Sequence, residues 1–219
     1  MNTAEEIVFL KEELFIGEGE HKKCYEHPGN GDLCVKVIHS AFGKRKDAID
    51  KAIKREVGYQ TAMNKNGACL LAPISRYFGT VKTNFGTGYV FELIRDGDGR
   101  ISSSLHEYLK SDDVLRNFLP QLVHVLLKLR EDMLSLKIVT MNIFPKNILV
   151  QKGPENIVKL VIVDNVGSAS LIPLEYYIPY FALARVNRRW ARFMRFLEGR
   201  YKNLLAVELL KQLAVAQPK

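Results

Sequence analysis

Long apolar runs, paired cysteines and a targeting segment are all missing from this chain of 219 residues. The longest apolar runs cover only a few residues, far short of the roughly 18–20 that a membrane-spanning helix needs. The three cysteines, Cys24, Cys34 and Cys69, are odd in number and form no CxxC motif, which argues against a disulfide scaffold and a zinc site. The N-terminus is acidic and has no basic segment ahead of an apolar one, so we expect no signal peptide and a cytoplasmic location.

The composition that is present is ordinary for a globular protein. Hydrophobic residues make up 47% of the chain and charged residues 26%, which excludes a disordered or collagen-like chain. A chain of this length buries about 70% of its unfolded surface and needs no disulfide or metal to fold. We expect one domain, or two small lobes that share a core.

Basic residues are concentrated near the C-terminal end. The net charge is +8, yet residues 1–175 hold 23 Lys and Arg against 22 Asp and Glu, whereas residues 176–219 hold nine against two. Five arginines recur at helical spacing and predict one helix face: Arg185, Arg188, Arg189, Arg192 and Arg195. This face is either a solvated surface or a docking surface for an anionic protein, a lipid head group or nucleic acid.

The first part of the chain is predicted to be strands around one helix. Residues 7–40 are interpreted as strands with a turn at 28–32, where Asn-Gly followed by Asp is a hairpin signal. Residues 44–64 predict a helix, and the stretch 76–94 predicts a second hairpin.

The second part is predicted to be mainly helical. A polar linker near 95–103 is followed by a short helix that Ser104 caps. Apolar residues at intervals of three and four then predict a long helix over about 112–136. A buried strand is expected at 157–163, and helices from about 171. Strands followed by helices indicate the α+β class.

Three features in the first part suggest a phosphate site. Gly17-Glu18-Gly19 lies between two strands, where glycine lets the backbone approach a phosphate; a plain tight turn is the alternative. Lys36 lies in an apolar strand and is either a solvent-facing edge residue or a buried lysine that needs an acidic partner. Glu56, in the predicted helix, is the available partner, or it is a solvated helix charge.

Two features in the second part suggest a cation site. Asn147 precedes an apolar strand, five residues after Asn142, and Asp164 ends the strand at 157–163. Amide and carboxylate oxygens are suitable ligands for magnesium. Either residue alone is also common turn chemistry.

Taken in order, these features resemble those of a protein kinase: glycine loop, lysine strand, glutamate helix, Asn-bearing loop and strand-ending aspartate. The resemblance implies a minimal bilobal kinase-like fold, with an antiparallel-sheet N-lobe at 1–95 and a helical, truncated C-lobe at 96–219. It implies that ATP and Mg²⁺ are the cofactors. The nucleotide-binding residues would be Gly17, Gly19, Lys36, Glu56, Glu92 and Ile94. The metal ligands would be Asn147 and Asp164, and the catalytic residues Asn142, Lys36 and Asp164.

Four segments also resemble the YrbL family of PhoP regulatory network proteins. They are Gly86-Thr87-Gly88-Tyr89-Val90, Ile138-Val139-Thr140-Met141-Asn142, Pro145-Lys146-Asn147-Ile148-Leu149 and Asp164-Asn165-Val166-Gly167. This resemblance extends over nearly the whole chain. It implies a bacterial regulatory protein.

The chain departs from the kinase pattern at positions on which catalysis by kinases depends. Asn142 stands where kinases have the catalytic aspartate, and an amide cannot take up a proton. Lys22 replaces the third glycine of the loop, and Phe144 replaces a lysine two positions after the catalytic aspartate. Only 52 residues (219 − 167) follow Gly167, so a peptide kinase regulated through an activation loop is the least expected form.

The sequence therefore predicts a nucleotide- and magnesium-binding regulatory protein whose phosphotransfer is weak or absent. Two alternatives stay open. One is an active atypical kinase that phosphorylates a small molecule or an envelope saccharide. The other is a regulatory scaffold that binds an anionic partner through the basic helix and uses no nucleotide.

Overall fold

Five antiparallel strands form one sheet in a computed structural model that describes residues 7–19, 21–38, 46–65, 72–170 and 172–216. The strands are β1 (Phe15–Glu18), β2 (Lys22–His27), β3 (Asn30–Ile38), β4 (Tyr77–Thr83) and β5 (Gly86–Glu92). Their order in the sheet is β1-β2-β3-β5-β4, so β3 is an interior strand. Helix α1 (Lys46–Lys65) lies between β3 and β4 in the chain.

The second half of the described chain is mainly helical. Its helices are α2 (Leu105–Lys110), α3 (Asp112–Ser135), α4 (Pro179–Arg200) and α5 (Leu204–Ala216). A separate hairpin consists of β6 (Ile148–Lys152) and β7 (Ile157–Ile162). Strands followed by helices confirm the predicted α+β class.

Glycine is required twice at the start of β5. Gly86 has a φ of +96°, a conformation that other residues rarely adopt. A Cβ added to Gly88 would lie 2.5 Å from Cγ1 of Val35 and 2.8 Å from Cγ2 of Thr83. Because Val35 belongs to β3, the interior of the sheet closes only when position 88 has no side chain.

Both faces of the sheet are covered by apolar side chains. On one face, Cys34 and Phe91 pack with Ile53 of α1. On the other face, Tyr25 and Val35 pack with Leu10 from the segment ahead of β1. The sheet is thus the middle layer of the first half, and α1 lies on the face that carries Lys36.

Helix α3 lies at the centre of the largest apolar cluster. The Ser111 hydroxyl accepts a hydrogen bond from the N–H of Val114 and caps the helix. The side chains buried along α3 recur at helical spacing: Leu115, Leu119, Leu122, Val125, Leu126, Leu129 and Met133. The carboxylate of Asp112 accepts hydrogen bonds from Asn203 and from the N–H of Leu205, which fixes the start of α5 on the start of α3.

The predicted strand at the beginning of the chain is wrong over residues 7–14. Val8 forms one isolated bridge to Thr83, and Glu12–Leu14 is a 3₁₀ turn. Leu10 and Leu14 both pack on the sheet, and a spacing of four places two residues on one side of either a strand or a helical turn.

The other predicted elements are confirmed with shifted ends. The turn expected at 28–32 falls at residues 28 and 29, and the side chain of Ser104 caps α2 as expected. Positions 44 and 45 of the first predicted helix, and Cys69, lie outside the described residues. No helix in the described ranges has an apolar stretch long enough to cross a bilayer.

Candidate functional site

Lys36 is buried in the interior strand β3. Its side chain is 9% exposed, and its Nζ donates a hydrogen bond to the carbonyl of Val163. The same ammonium group lies 4.2 Å from the centroid of the Phe91 ring, a cation–π contact. The alternative interpretation, an edge-strand lysine that points to solvent, is therefore wrong.

A second ammonium group, that of Lys22 in β2, lies between two carboxylates. Its Nζ donates to Oε2 of Glu56 at 3.2 Å and to Oδ1 of Asp164. Glu56 lies in α1 and is only 2% exposed, and Asp164 follows β7. We call Lys22, Lys36, Glu56 and Asp164 the cleft cluster, because they meet where the sheet, α1 and the loop after β7 come together.

The pairing within the cleft cluster differs from the sequence-based prediction. Glu56 was expected to pair with Lys36, but it forms its ion pair with Lys22. The register of the sheet explains the change: Cys24 lies opposite Lys36, and Lys22 is two residues from Cys24. Both lysines therefore project from the same face, and Lys22 reaches both carboxylates.

Burial and charge set the protonation states of the cluster. Burial acts to raise the pKa of Asp164, but the charges of Lys22 and Lys36 outweigh it and the pKa falls to about 2. Burial raises the pKa of Glu56 despite the opposing charge of Lys22. Burial acts to lower the pKa of Lys22, but the charges of Glu56 and Asp164 raise it above its usual value. Asp164 is thus ionised and Lys22 charged at neutral pH.

Contacts on either side of Glu56 hold α1 against the second half of the molecule. Nη1 of Arg55 donates to the carbonyl of Ala169 at 3.1 Å, and the Tyr59 hydroxyl accepts from the N–H of Val139 at 3.1 Å. These contacts point Glu56 into the cluster. Its second oxygen, Oε1, is buried and has no hydrogen-bond partner among the described residues.

Two backbone hydrogen bonds join the loop that carries Asn142 and Asn147 to the loop after β7. The N–H of Met141 donates to the carbonyl of Asn165 at 2.7 Å, and the N–H of Val163 donates to the carbonyl of Asn147 at 2.9 Å. The two loops are therefore brought together, with Asn147 beside the backbone that leads into Asp164.

Asn142 is engaged by an arginine that the sequence interpretation did not connect with it. Its Oδ1 accepts a hydrogen bond from Nη1 of Arg189 at 3.1 Å. Glu131 and Asp132, the acidic residues near the end of α3, pair with Lys128 at 3.1 and 3.0 Å.

The glycine turn lies directly before Lys22. Gly17 belongs to β1, opposite Cys24, and the N–H of Gly19 donates to the carbonyl of Lys22 at 2.8 Å. A Cβ on Gly17 would meet no atom within 4 Å, and neither glycine has a positive φ. Gly17 therefore borders open space, a Cβ on Gly19 would lie 3.9 Å from the carbonyl oxygen of Lys22, and the backbone of neither position requires glycine. Glu20 lies outside the described residues.

The end of β5 and the segment after it carry the two backbone groups expected to contact a nucleotide base. The carbonyl of Glu92 accepts a weak contact from Sγ of Cys34 at 3.9 Å. The N–H of Ile94 donates to no acceptor in the described ranges, while the carbonyl of Ile94 accepts from Ser102 at 2.9 Å. The Glu92 side chain is paired with Arg76 at 3.3 Å, so any role of Glu92 in binding falls to its backbone.

The prediction that five arginines share one exposed face is wrong for Arg185. Its guanidinium is buried, pairs with Glu175 at 2.6 Å and donates to the carbonyl of Thr140 at 3.3 Å. Arg189 is partly buried, whereas Arg188, Arg192 and Arg195 are exposed. The turn of α4 that faces the Asn142 loop thus carries inward-pointing arginines.

Two surface cavities, of about 330 and 260 Å³, lie away from the cleft cluster. The first lies between α3 and β7, and the second near Asp96 and Lys152. In the described structure, Lys22 occupies the space between Glu56 and Asp164.

Lys22 and Arg189 are the site residues whose contacts the sequence interpretation missed. The signal for Lys22 was available: a lysine at the third position of the glycine motif, at even spacing from Cys24 in a predicted strand. Arg189 had no such signal, because helical spacing alone does not tell which side of a basic helix faces a loop.

The fold and the cleft cluster define an α+β protein whose antiparallel sheet and helical half share a set of buried ionic groups. The model of the family described as PhoP regulatory network protein YrbL matches residues 8–198. The uncharacterized protein YrbL of Escherichia coli (strain K12) is 34% identical over 213 residues, which cover 97% of this chain and 96% of that protein. The protein of the same name from Shigella flexneri matches with the same identity and coverage. The chain belongs to the YrbL family.

Proposed function

We propose that this protein has a kinase-like bilobal fold and binds a nucleoside triphosphate with Mg²⁺ at the cleft cluster, with weak or absent phosphotransfer. The observation that carries the proposal is the meeting of Lys22, Lys36, Glu56 and Asp164 from four separate segments. Protein kinases use a strand lysine, a helix glutamate and an aspartate after a strand for this purpose.

The topology supports the fold part of the proposal. The glutamate-bearing helix α1 follows the lysine-bearing strand β3, and the aspartate follows the hairpin in the second half. This is the order of the corresponding parts in a protein kinase. The boundary between the lobes would lie between the end of β5 and the start of α2, at about residue 95.

The residues of the cluster suit Mg²⁺. The ion prefers carboxylate and amide oxygens and keeps several waters, and Asp164 remains ionised because its pKa is about 2. Oε1 of Glu56, which has no hydrogen-bond partner among the described residues, is a further oxygen available at the cluster. Asp164 and Asn147 would hold the ion, and its charge would balance that of the phosphates. Lys22 would then exchange Asp164 for phosphate oxygens.

The segment after β5 supports a site for the nucleotide base. The Glu92 carbonyl can accept a hydrogen bond and the Ile94 N–H can donate one. Backbone groups two residues apart in an extended segment point to the same side. A purine or pyrimidine edge offers the complementary donor and acceptor.

The contacts of Asn142 support weak or absent phosphotransfer. Its oxygen accepts from Arg189, and an amide cannot take up a proton in any case. Loss of a general base reduces rates by about 10²–10⁴. Because phosphoryl transfer depends largely on positioning and electrostatics, nucleotide binding does not need this base.

The experiment is a calorimetric titration of the full chain with ATP in the presence of Mg²⁺. We expect saturable binding, weakened about tenfold or more in Lys36→Met, because a hydrogen bond to a charged group contributes about 1.5–3 kcal/mol. Met keeps the packing against Phe91. Lys23→Met is the matched control. Lys23 lies in β2, the strand next to the one that carries Lys36, and it pairs with Glu18 at 3.7 Å.

Binding that is absent from the wild type, or equal in Lys36→Met and wild type, would contradict the proposal. A parallel incubation with γ-labelled ATP measures phosphotransfer separately. Rapid labelling that depends on Asp164 would support the active-kinase alternative and overturn the proposed weak activity.

The exposed surface between residues 172 and 196 supports a second candidate, a scaffold for an anionic partner. Apolar and aromatic side chains such as Ile172, Tyr177 and Tyr180 are 69–78% exposed there, close in sequence to the exposed Arg188 and Arg192. Reversal of both arginines to Glu should abolish partner capture while Lys36→Met leaves it intact. The opposite pattern would exclude the scaffold.

A further inference from the structure

We propose that Arg189 and Arg192, together with Asn142, form a binding site for the phosphate or carboxylate group of a small-molecule acceptor beside the cleft cluster. The role of this molecule as acceptor rests on the proposed function in its form with weak phosphotransfer. The anion site itself rests on the geometry and charge of α4.

The face of α4 that follows the loop 140–144 is defined by three contacts. Arg185 donates to the carbonyl of Thr140, and Arg189 donates to Oδ1 of Asn142. The ring of Phe196 meets that of Phe144 edge-on, with centroids 5.6 Å apart. Alternate residues of the loop are thus contacted by one face of the helix, with one turn between Arg185 and Arg189 and two turns between Arg189 and Phe196.

Arg192 belongs to this same face. It follows Arg189 by three residues and precedes Phe196 by four, and side chains at these spacings are neighbours on a helix. Arg192 is exposed, and its position in the helix lies between Arg189, which contacts Asn142, and Phe196, which contacts Phe144.

The charge of this site is not compensated. No carboxylate forms an ion pair with Arg188, Arg189 or Arg192 among the described residues. Burial lowers the pKa of Arg189, and the charges of Arg185, Arg192 and Arg188 lower it further. A partly buried cation beside other cations is unfavourable unless an anion joins it. The guanidinium fork binds phosphate and carboxylate groups in a two-pronged geometry.

Asn142 links this site to the cleft cluster. The N–H of the preceding residue, Met141, donates to the carbonyl of Asn165, the residue after Asp164. An anion held by Arg189 and Arg192 would therefore lie next to the loop that carries Asp164. This position suits an acceptor better than the triphosphate, which the two lysines of the cleft cluster would hold.

The segment between Gly167 and α4 favours a small molecule over a peptide. Ser168 donates from its N–H to the Tyr176 hydroxyl and from its own hydroxyl to Glu175. Arg185 donates to both Glu175 and Ser170. These polar groups of the described part of the segment are thus engaged within the protein, and the carbonyl of Ala169 accepts from Arg55. None of these groups is free to pair with a peptide strand.

The test is an NMR titration of arginine side-chain Nε–H signals with inorganic phosphate at constant ionic strength. We expect the Arg189 and Arg192 signals to shift and saturate in the wild type. Arg189→Gln and Arg192→Gln should each weaken phosphate binding about tenfold or more, as expected for a charged hydrogen bond. Arg195→Gln is the matched control. It removes the same charge from the same helix, and Arg195 is not among the residues whose charges lower the pKa of Arg189.

The outcomes separate this inference from the proposed function. Phosphate binding that is lost in Lys36→Met but kept in Arg189→Gln would place the anion in the cleft cluster and overturn the inference alone. ATP that fails to bind while phosphate still binds at the arginines would overturn the proposed function alone. No saturable shift, equal affinity in all variants, or binding only to vesicles of phosphatidylglycerol would overturn the inference.

Discussion

The cleft cluster and the arginines of α4 are two groups of partly buried charges that differ in how far the charges are paired. In the cleft cluster, Lys22 has two carboxylate partners and Lys36 has a carbonyl and an aromatic ring. Among the described residues of α4, Arg185 alone has a carboxylate partner, Glu175. The cleft cluster therefore balances its charges without a ligand, whereas Arg188, Arg189 and Arg192 have no carboxylate partner within the described ranges.

This difference indicates what each group contributes. A balanced cluster joins β2, β3, α1 and the loop after β7, so it contributes to folding as well as to a site. The unpaired arginines contribute little to folding, since their mutual repulsion is unfavourable. We expect substitutions in the first group to destabilise the protein and selected substitutions in the second to stabilise it.

The largest expected effect is that of Lys22→Ala. It leaves Glu56, which is 2% exposed, and Asp164 without their shared partner, and breaking a buried pair costs about 3 kcal/mol. The free energy of unfolding from urea denaturation measures this loss. Lys23→Ala should change it by less than about 0.5 kcal/mol. Equal effects of the two substitutions would show that the cluster contributes nothing to folding.

A somewhat smaller loss of stability is expected when the pH is lowered. The pKa of Asp164 is 3.8 as a reference and about 2 in the folded protein, so its charge stabilises the fold above pH 3.8 and this contribution is lost as pH falls toward 2. The difference corresponds to about 2 kcal/mol. Glu56 acts outside this window, because its pKa is raised from 4.5.

Urea denaturation at a series of pH values measures this contribution. Unfolding of Asp164→Asn should depend less on pH between 3.8 and 2 than unfolding of the wild type. Parallel curves for the two proteins would show that Asp164 is not held ionised by Lys22 and Lys36.

A third prediction concerns Arg185, the arginine of α4 that pairs with Glu175. Arg185→Gln should destabilise the fold by about 1.5 kcal/mol, since it removes charged hydrogen bonds to Glu175 and to the carbonyl of Thr140. Thermal denaturation compared with Arg195→Gln measures the difference. If Arg185→Gln is as stable as Arg195→Gln, the buried and exposed arginines do not differ as described.

The smallest expected effect has the opposite sign. Asn142→Asp places a carboxylate where Arg189 now donates to an amide oxygen at 3.1 Å, and should stabilise the fold by about 1 kcal/mol. Restoring the aspartate should not restore phosphotransfer, because Arg189 would hold it. A loss of stability in the same denaturation experiment would mean that the charge of Arg189 is already compensated.

The sequence was sufficient for the parts of the fold that repeat a regular pattern. Helix α3 follows from its apolar spacing, and Lys36 and Asp164 were identified from their positions in and after apolar strands. The segment 7–14 was misassigned, because its apolar residues suit either a strand or a turn until the sheet is present to pack on.

Side-chain partners depended on three-dimensional register. Which lysine meets Glu56 is decided by the alignment of β2 with β3, and which arginine meets Asn142 is decided by the rotation of α4. The spacing of residues along the chain determines neither of these two pairings. This is why Lys36, Glu56 and Asp164 were named as candidate site residues from the sequence, while Lys22 was not.

The most direct test of the nucleotide site is a crystal structure with a non-hydrolysable ATP analogue and Mg²⁺. We predict phosphate density beside Lys36, metal density beside Asp164 and Asn147, and Lys22 moved from Asp164 to a phosphate oxygen. Unchanged contacts of Lys22 with Glu56 and Asp164, with no analogue between the sheet and the loop after β7, would contradict the account.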